Sequence, residues 1–281
     1  MKRYLLPFVF LSFVAVPLLG QTARPGTTAA QGSAMPGIGI PEGPNGPGYI
    51  EFGGSRSELT SPLPNWTDAY VRGVVNLTPT NGLSIEADRQ THFGETGYFG
   101  TIGLTHSFTE NLYTNAYLGS SVGGLFLPKL RFDGLLNYKL LSEKQLVANF
   151  GFGYDKAKTQ NYDERYIVGA TYYFQVLPFI VQGGAVFTHA NPGSILAKTY
   201  NLAITEGREK EHYITVRAEI GREAYEIINT QTSLFDFPIH SYSGTWRQWI
   251  GANWGFNFNF QRELNPYYNR NGATLGFFVD F

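Results

Sequence analysis

From Trp254 to Gln261 every even-numbered residue is aromatic and every odd-numbered one is polar or glycine. That is the two-residue period of a β-strand with one apolar and one polar face. The pattern recurs. Leu146, Ala148, Phe150, Phe152 and Tyr154 alternate with Asn149, Gly151, Gly153 and Asp155. Tyr166, Val168, Ala170 and Tyr172 alternate with Gly169 and Thr171, and Ile214, Val216, Ala218 and Ile220 with Tyr213, Thr215, Arg217 and Glu219. A soluble sandwich buries such faces in one core, and here there are too many to share one. Apolar-out, polar-in strands of about ten residues are the mark of a transmembrane barrel.

The rest of the chain fits a membrane setting. Charged residues make up 15% against 16% aromatic, with 33 glycines, whereas a soluble domain carries about 25% charged residues. No later run reaches the roughly 18 apolar residues of a membrane-spanning helix. Lipid satisfies no open backbone N–H or C=O, so a chain that spans without helices must close into a barrel. The net charge of −1 argues against nucleic acid as a partner. The absence of cysteine excludes disulfides, a thiolate nucleophile and a lipoprotein anchor.

Lys2 and Arg3 followed by the uncharged run Leu5 to Leu19 read as a secretion signal over residues 1–20, with cleavage near 20–23. Residues 21–48, rich in Gly, Pro, Thr and Ala, read as a disordered periplasmic leader. The barrel is expected over residues 49–281. The last strand carries Leu275, Phe277, Val279 and Phe281 on one face and Thr274, Gly276 and Asp280 on the other, with Phe278 as the apolar exception. An aromatic end of this kind in an exported chain points to a Gram-negative outer membrane, with Phe277 and Phe281 serving as a signal to the barrel-assembly machinery.

Counting alternating segments gives an all-β, antiparallel up-and-down barrel of about fourteen strands, with twelve as the other choice. The expected spans are 49–59, 67–79, 83–93, 97–109, 112–122, 127–141, 146–158, 166–175, 179–190, 196–207, 212–225, 239–250, 254–263 and 271–281. Connections then alternate short and long, the longest from Glu226 to Pro238. Trp66, Tyr70, Tyr98, Tyr162, Tyr166, Tyr242, Tyr267 and Tyr268 form an expected outer aromatic girdle. Phe108, Tyr113, Phe174, Phe179, Tyr213, Trp254 and Phe281 form an inner one.

Gly123 to Phe174, together with YITVRAEIGREAY at Tyr213 to Tyr225 and the later SYSGTWRQWIGANWGFNFNFQREL, resembles the YaiO family of outer-membrane β-barrels. The resemblance covers roughly Trp66 to Phe281. It implies an outer-membrane barrel in contact with outer-membrane lipid; the residues themselves offer no metal signature and only a weak nucleophile motif, so no cofactor and no catalysis are expected. It extends to the barrel portions of exopolysaccharide exporters and so implies a link to surface glycan. The long helical-repeat domains of those exporters have no counterpart here, so export by this chain alone is not implied.

Strand parity places Arg72, Glu86, Asp88, Arg131, Asp133, Lys139, Asp155, Arg217 and Glu219 on the inner face. An Arg or Lys facing lipid at mid-membrane costs about 2–4 kcal/mol, so inward placement is expected. These nine are the candidate pore-lining residues, either lining a selective passage or pairing to fill the lumen. Mixed signs favour neutral or zwitterionic solutes, including sugars, over strongly charged ions, so a small neutral solute is expected, with a polysaccharide as what the resemblance implies. Gly119 to Gly123 matches G-x-S-x-G around Ser121, but the nucleophile elbow requires a strand-turn-helix setting. The five histidines are scattered, with no metal spacing. Asp163–Glu164 reads as a solvated loop. The expected function is a passive channel or envelope component. The alternatives are a lipid hydrolase or acyltransferase at the outer rim and a closed structural or adhesive barrel.

Overall fold

The computed structural model describes residues 48–60, 63–227 and 233–281, together with the paired two-residue strands Ser12–Phe13 and Pro41–Glu42. Apart from those four residues, the expected signal and nearly all of the leader lie outside the described residues. Fourteen antiparallel strands form one closed barrel, each paired with its neighbours in sequence. They are β1 Gly48–Leu59, β2 Trp66–Thr78, β3 Asn81–His92, β4 Glu95–Ser107, β5 Leu112–Gly123, β6 Leu130–Leu140 and β7 Leu146–Lys156. The second half holds β8 Tyr162–Tyr173, β9 Phe179–Asn191, β10 Ile195–Arg208, β11 His212–Ile227, β12 Ser233–Trp249, β13 Trp254–Leu264 and β14 Asn269–Asp280. β14 pairs with β1 through eleven residues, from Arg270 opposite Leu59 to Asp280 opposite Tyr49. Gly48 and Phe281 exchange backbone hydrogen bonds where the two ends of the barrel meet. That end is the inner rim, and the opposite end the outer rim.

Alternation decides which side chains meet lipid. Ile50, Phe52, Leu118, Phe150, Val216, Leu275 and Phe277 are exposed on the outer wall, while their sequence neighbours turn inward and are buried or half-buried. Closure removes every sheet edge, and this is what permits an all-strand crossing.

Four expectations are corrected. The two rims carry connections of similar length, two to six residues at the outer rim and two to five at the inner. The long loop from Glu226 to Pro238 is mostly strand, because β11 and β12 run 16 and 17 residues and rise as a hairpin above the outer rim. Its polar residues had hidden the pairing. Asp163 and Glu164 are not a solvated loop. They open β8, and Asp163 is 2% exposed because its parity turns it inward. Leu127 and Pro128 do not start a strand; the proline cannot extend the ladder, and both are buried in the β5–β6 connection.

The girdles also change. Tyr98, Tyr166, Tyr242 and Tyr267 face outward, as do Phe108, Phe174, Phe179, Trp254 and Phe281 at the inner end. Trp66, Tyr70 and Tyr268, and likewise Tyr113 and Tyr213, are buried. These five have lumen parity or fold over the mouth, so nearness to a rim did not make them girdle residues.

Candidate functional site

All nine side chains expected on the inner wall take inward positions, and the structure gathers six of them with others into three groups. The first centres on Glu51 of β1, which is fully buried. Its Oε1 accepts from the Tyr70 hydroxyl at 2.8 Å and from Arg72 Nη2 at 2.7 Å. Its Oε2 accepts from Arg247 Nη1 at 3.0 Å. Arg247 belongs to β12 and crosses β13 and β14 to arrive. The crossing needs small residues on the way. A Cβ on Gly276 would overlap the Tyr70 hydroxyl and lie 3.0 Å from Glu51 Oε1. The Arg247 guanidinium also lies 3.5 Å from the centre of the Phe278 ring. That explains the apolar residue on the polar face of β14: it is a cation–π partner. Trp249 stacks edge-on to Phe278 and donates its Nε1 hydrogen to Asp280 at 2.8 Å.

The second group spans β6 to β8. Arg165 bonds Asp133, and Arg131 Nε donates to the other oxygen of Asp133 at 2.6 Å. Asp155 lies 3.5 Å from Arg165 and 3.9 Å from Arg131. Gly153 lies between them on β7, and a Cβ there would sit 2.6 Å from Asp133 Oδ1 and 2.7 Å from Arg165 Nε. The third group lies toward the outer rim on β11 to β14. Arg217 and Glu219 share an inward face of β11, and Arg270 Nη2 donates to Glu263 at 2.7 Å. The Tyr268 hydroxyl donates to Glu226 at 2.8 Å. Asp88 and Glu86 face inward on β3, and Lys139 sits over the buried Tyr113 ring.

Parity could have found Glu51, Glu223, Arg247 and Glu263, which share inward phase with apolar neighbours of opposite phase. Arg165 was hidden because β8 begins four residues earlier than its apolar run. The additions shift the balance of the wall. Among the described residues its buried carboxyl and guanidinium side chains comprise nine acids and four arginines, an excess narrowed by the half-buried Arg131, Lys139 and Arg217 against Glu86. Among the described residues two sectors of the inner wall carry little or no charge, β9–β10 none and β4–β5 only Glu95 at the outer rim. The inner face of β9 and β10 presents Gln182, Val186, Thr188, Ala190, Ala197, Thr199, Asn201, Ala203 and Thr205. β4 and β5 present Phe99, Thr105, Tyr113 and Asn115.

The outer mouth is bridged. The β5–β6 connection folds inward, burying Phe126 and Leu127 at 2% and 1% exposure. Phe126 stacks on His92 with ring centres 4.6 Å apart, and His92 stacks on Trp66 at 4.2 Å. Trp66 meets Tyr268 edge-on and carries the Arg270 guanidinium 4.8 Å above its ring. On the other side Leu125 packs against Ala190, Ala197 and Ala224. The connection is tied down at two points. The Leu125 amide donates to Glu95 Oε2 at 2.8 Å. The Lys158 ammonium donates to the carbonyls of Gly123 and Gly124, and burial lowers its pKa below the ordinary lysine value while Glu95 opposes that shift.

The hydroxyl of Ser121 donates to the Pro128 carbonyl at 2.6 Å. His92 bonds Asp68, His106 bonds Asn81, and His212 bonds Glu206. Ser121 is therefore committed to holding the β5–β6 connection. Among the described residues no cluster of three potential metal ligands occurs.

A closed, lipid-faced barrel with a polar, ion-paired interior defines a membrane β-barrel. Residues 48–226 match the model of the YaiO membrane beta barrel domain. The chain belongs to that family. No curated protein sequence matches it. Among solved structures it is similar to the CymD monoaromatic hydrocarbon channel, with a TM-score of 0.60 and 11% identity, covering 96% of this chain and 99% of that one. It is also similar to a bacterial polysaccharide outer membrane secretin, with a TM-score of 0.55 and 8% identity over 83% and 98% of the two chains. At such identities the likeness is one of fold.

Proposed function

We propose that this barrel is an outer-membrane channel for small neutral, polyhydroxylated solutes, with its outer mouth held mostly shut by the β5–β6 connection and opening briefly. The observation that carries this reading is the inner wall. The guanidiniums at Glu51, Asp133 and Glu263 are tied to carboxylates by short hydrogen bonds, and buried amides stand between and beside these groups, including Asn115, Asn137, Asn201, Asn257 and Asn259. Such groups exchange hydrogen bonds with sugar hydroxyls as readily as with water. The acidic excess disfavours anionic polymers. A role beside surface-glycan export accords with this selectivity. The outer face is the one with the risen β11–β12 hairpin, and Gly48 and Phe281 stand in the periplasm, as an even strand number requires. Phe277 and Phe281 project outward at 45% and 52% exposure, accessible to the assembly machinery in the signal role proposed for them.

Liposome swelling tests the reading. Vesicles holding the folded protein should swell in an uncharged mono- or disaccharide faster than in a uronate of equal size. Equal rates for both, or faster uronate entry, would refute the proposed selectivity.

A further inference from the structure

The outer wall carries a feature that passage through the lumen does not use. Arg56 on β1, Arg89 on β3 and Arg262 on β13 each stand eight residues above the inner-rim residue that begins their strand. All three are exposed and have outward parity. The register links them in a stepped row, in which the outward carboxylate of Glu58 stands directly across β14 from Arg262 and two residues above Arg56. Arg262 faces Asn271 of β14 and Arg56 faces Ala273, two residues along the same strand. Arg56 then faces Thr67 of β2, and Arg89 faces Ala69, again two residues along. With neighbouring strands about 4.8 Å apart, successive arginines are roughly 10–12 Å apart at one height. Eight residues of tilted strand rise about 20 Å, near the top of an apolar band about 25 Å tall. Below the row the same strands show lipid only apolar side chains, including Ile50, Phe52, Ile85 and Phe258. Among the described residues none of the three guanidiniums has an ion-pair or hydrogen-bond partner. Arg222, another outward arginine, is committed to Asp236 at 2.7 Å.

Beside Arg89 the outer wall is hollowed into a groove of about 700 Å³. Ala69, Ala87, Gly100 and Ser120 form its floor, and Tyr98 and Val122 its sides. Small residues at one level on four successive strands leave a depression where lipid chains lie. Cations in a row above an apolar groove match a ligand with several phosphates on a rigid head and several acyl chains beneath it. A guanidinium suits phosphate through paired, charge-assisted hydrogen bonds. We infer that the face from β13 to β5 binds a phosphorylated glycolipid of the lipid A type in the outer leaflet. The phosphates sit on Arg56, Arg89 and Arg262, and an acyl chain lies in the groove. This rests on the outer-membrane reading and its orientation, but not on the channel being open. A diacyl phospholipid, with one phosphate, spans less of the row.

The test is native mass spectrometry of the full-length folded protein in detergent. Diphosphoryl lipid A, the same lipid stripped of phosphate, and phosphatidylglycerol serve as probes. Diphosphoryl lipid A should bind best, and the triple variant R56Q/R89Q/R262Q should lose about tenfold or more of that affinity. The Arg→Lys triple should keep most of it, and Ala87→Phe should weaken all acylated probes by filling the groove. Folding is read independently from the heat-dependent shift of the barrel on a gel, and the single Arg→Gln variants cover a triple that fails to fold. Liposome swelling in lipid A-free vesicles should be unchanged in the Gln variants, which separates this site from the proposed channel. Equal binding of phosphorylated and stripped lipid A would overturn the inference. So would undiminished binding by the triple variant, or phosphatidylglycerol binding as tightly with the same dependence on the arginines.

Discussion

The knot around Glu51 and the wall formed by β9 and β10 line the same lumen but are built in opposite ways. At Glu51, side chains from β1, β2 and β12 converge on one carboxylate, and glycine gives them room to cross. On β9 and β10 short side chains stand in separate positions, and Thr199, although buried, bonds to no other side chain. The knot ties together strands distant in sequence. The plain wall needs only its neighbour pairing. Fixed charge and uncharged polar surface are thus divided by sector, and each sector responds differently to mutation.

The largest effect should come from Glu51→Ala. It would leave Arg72 and Arg247 buried without their shared carboxylate, and breaking a buried pair in this way costs about 3–5 kcal/mol. Urea unfolding in lipid vesicles reads it; a loss under 1 kcal/mol would mean the knot carries no more than the plain wall. Gly276→Val comes next, at about 1–3 kcal/mol of overpacking, since the new side chain displaces the Tyr70 hydroxyl. It should be partly relieved in a Tyr70→Phe background, and strict additivity would show that the glycine does not serve the crossing. The smallest effect belongs to the plain wall. Thr199→Val swaps an unpaired hydroxyl for a methyl of the same shape and should change stability by less than about 1 kcal/mol in either direction. A large loss there would show that β9 and β10 hide a network of their own. Deleting Phe281 probes neither region, and is expected to slow insertion without changing the folded barrel's unfolding midpoint. Unchanged assembly kinetics would remove Phe281 from the assembly signal.

The sequence displayed the barrel more fully than it displayed the site. Strand parity is rigid: a residue two positions from an outward aromatic is itself outward, so the inward phase of Arg131, Asp133, Arg217 and Glu219 followed from their neighbours. Arg165 and Asp163 were missed because the outer end of β8 lacks apolar residues, and an alternation without contrast resembles a loop. Parity says which face a residue takes but not how far its side chain reaches. The approach of Arg247 to Glu51 over two strands was therefore invisible, as was the reason for Phe278. The inward fold of the β5–β6 connection was hidden for another cause. Gly124 to Lys129 pack through contacts with β3, β4 and the β9–β11 sector, and no local pattern encodes them. Pro128 was the one available sign that the strand had not begun.

The central claim is a passage closed at its outer mouth, and single-channel conductance in a planar bilayer tests it most directly. The wild-type barrel should be mostly shut with brief openings. Phe126→Ala combined with Lys158→Ala, which removes both the stack on His92 and the tie to Gly123 and Gly124, should give long-lived open steps. Their ion preference should then move toward cations in an Arg131→Gln background. A folded double variant that stays as silent as the wild type would contradict the account, leaving a barrel whose paired interior only fills its own lumen.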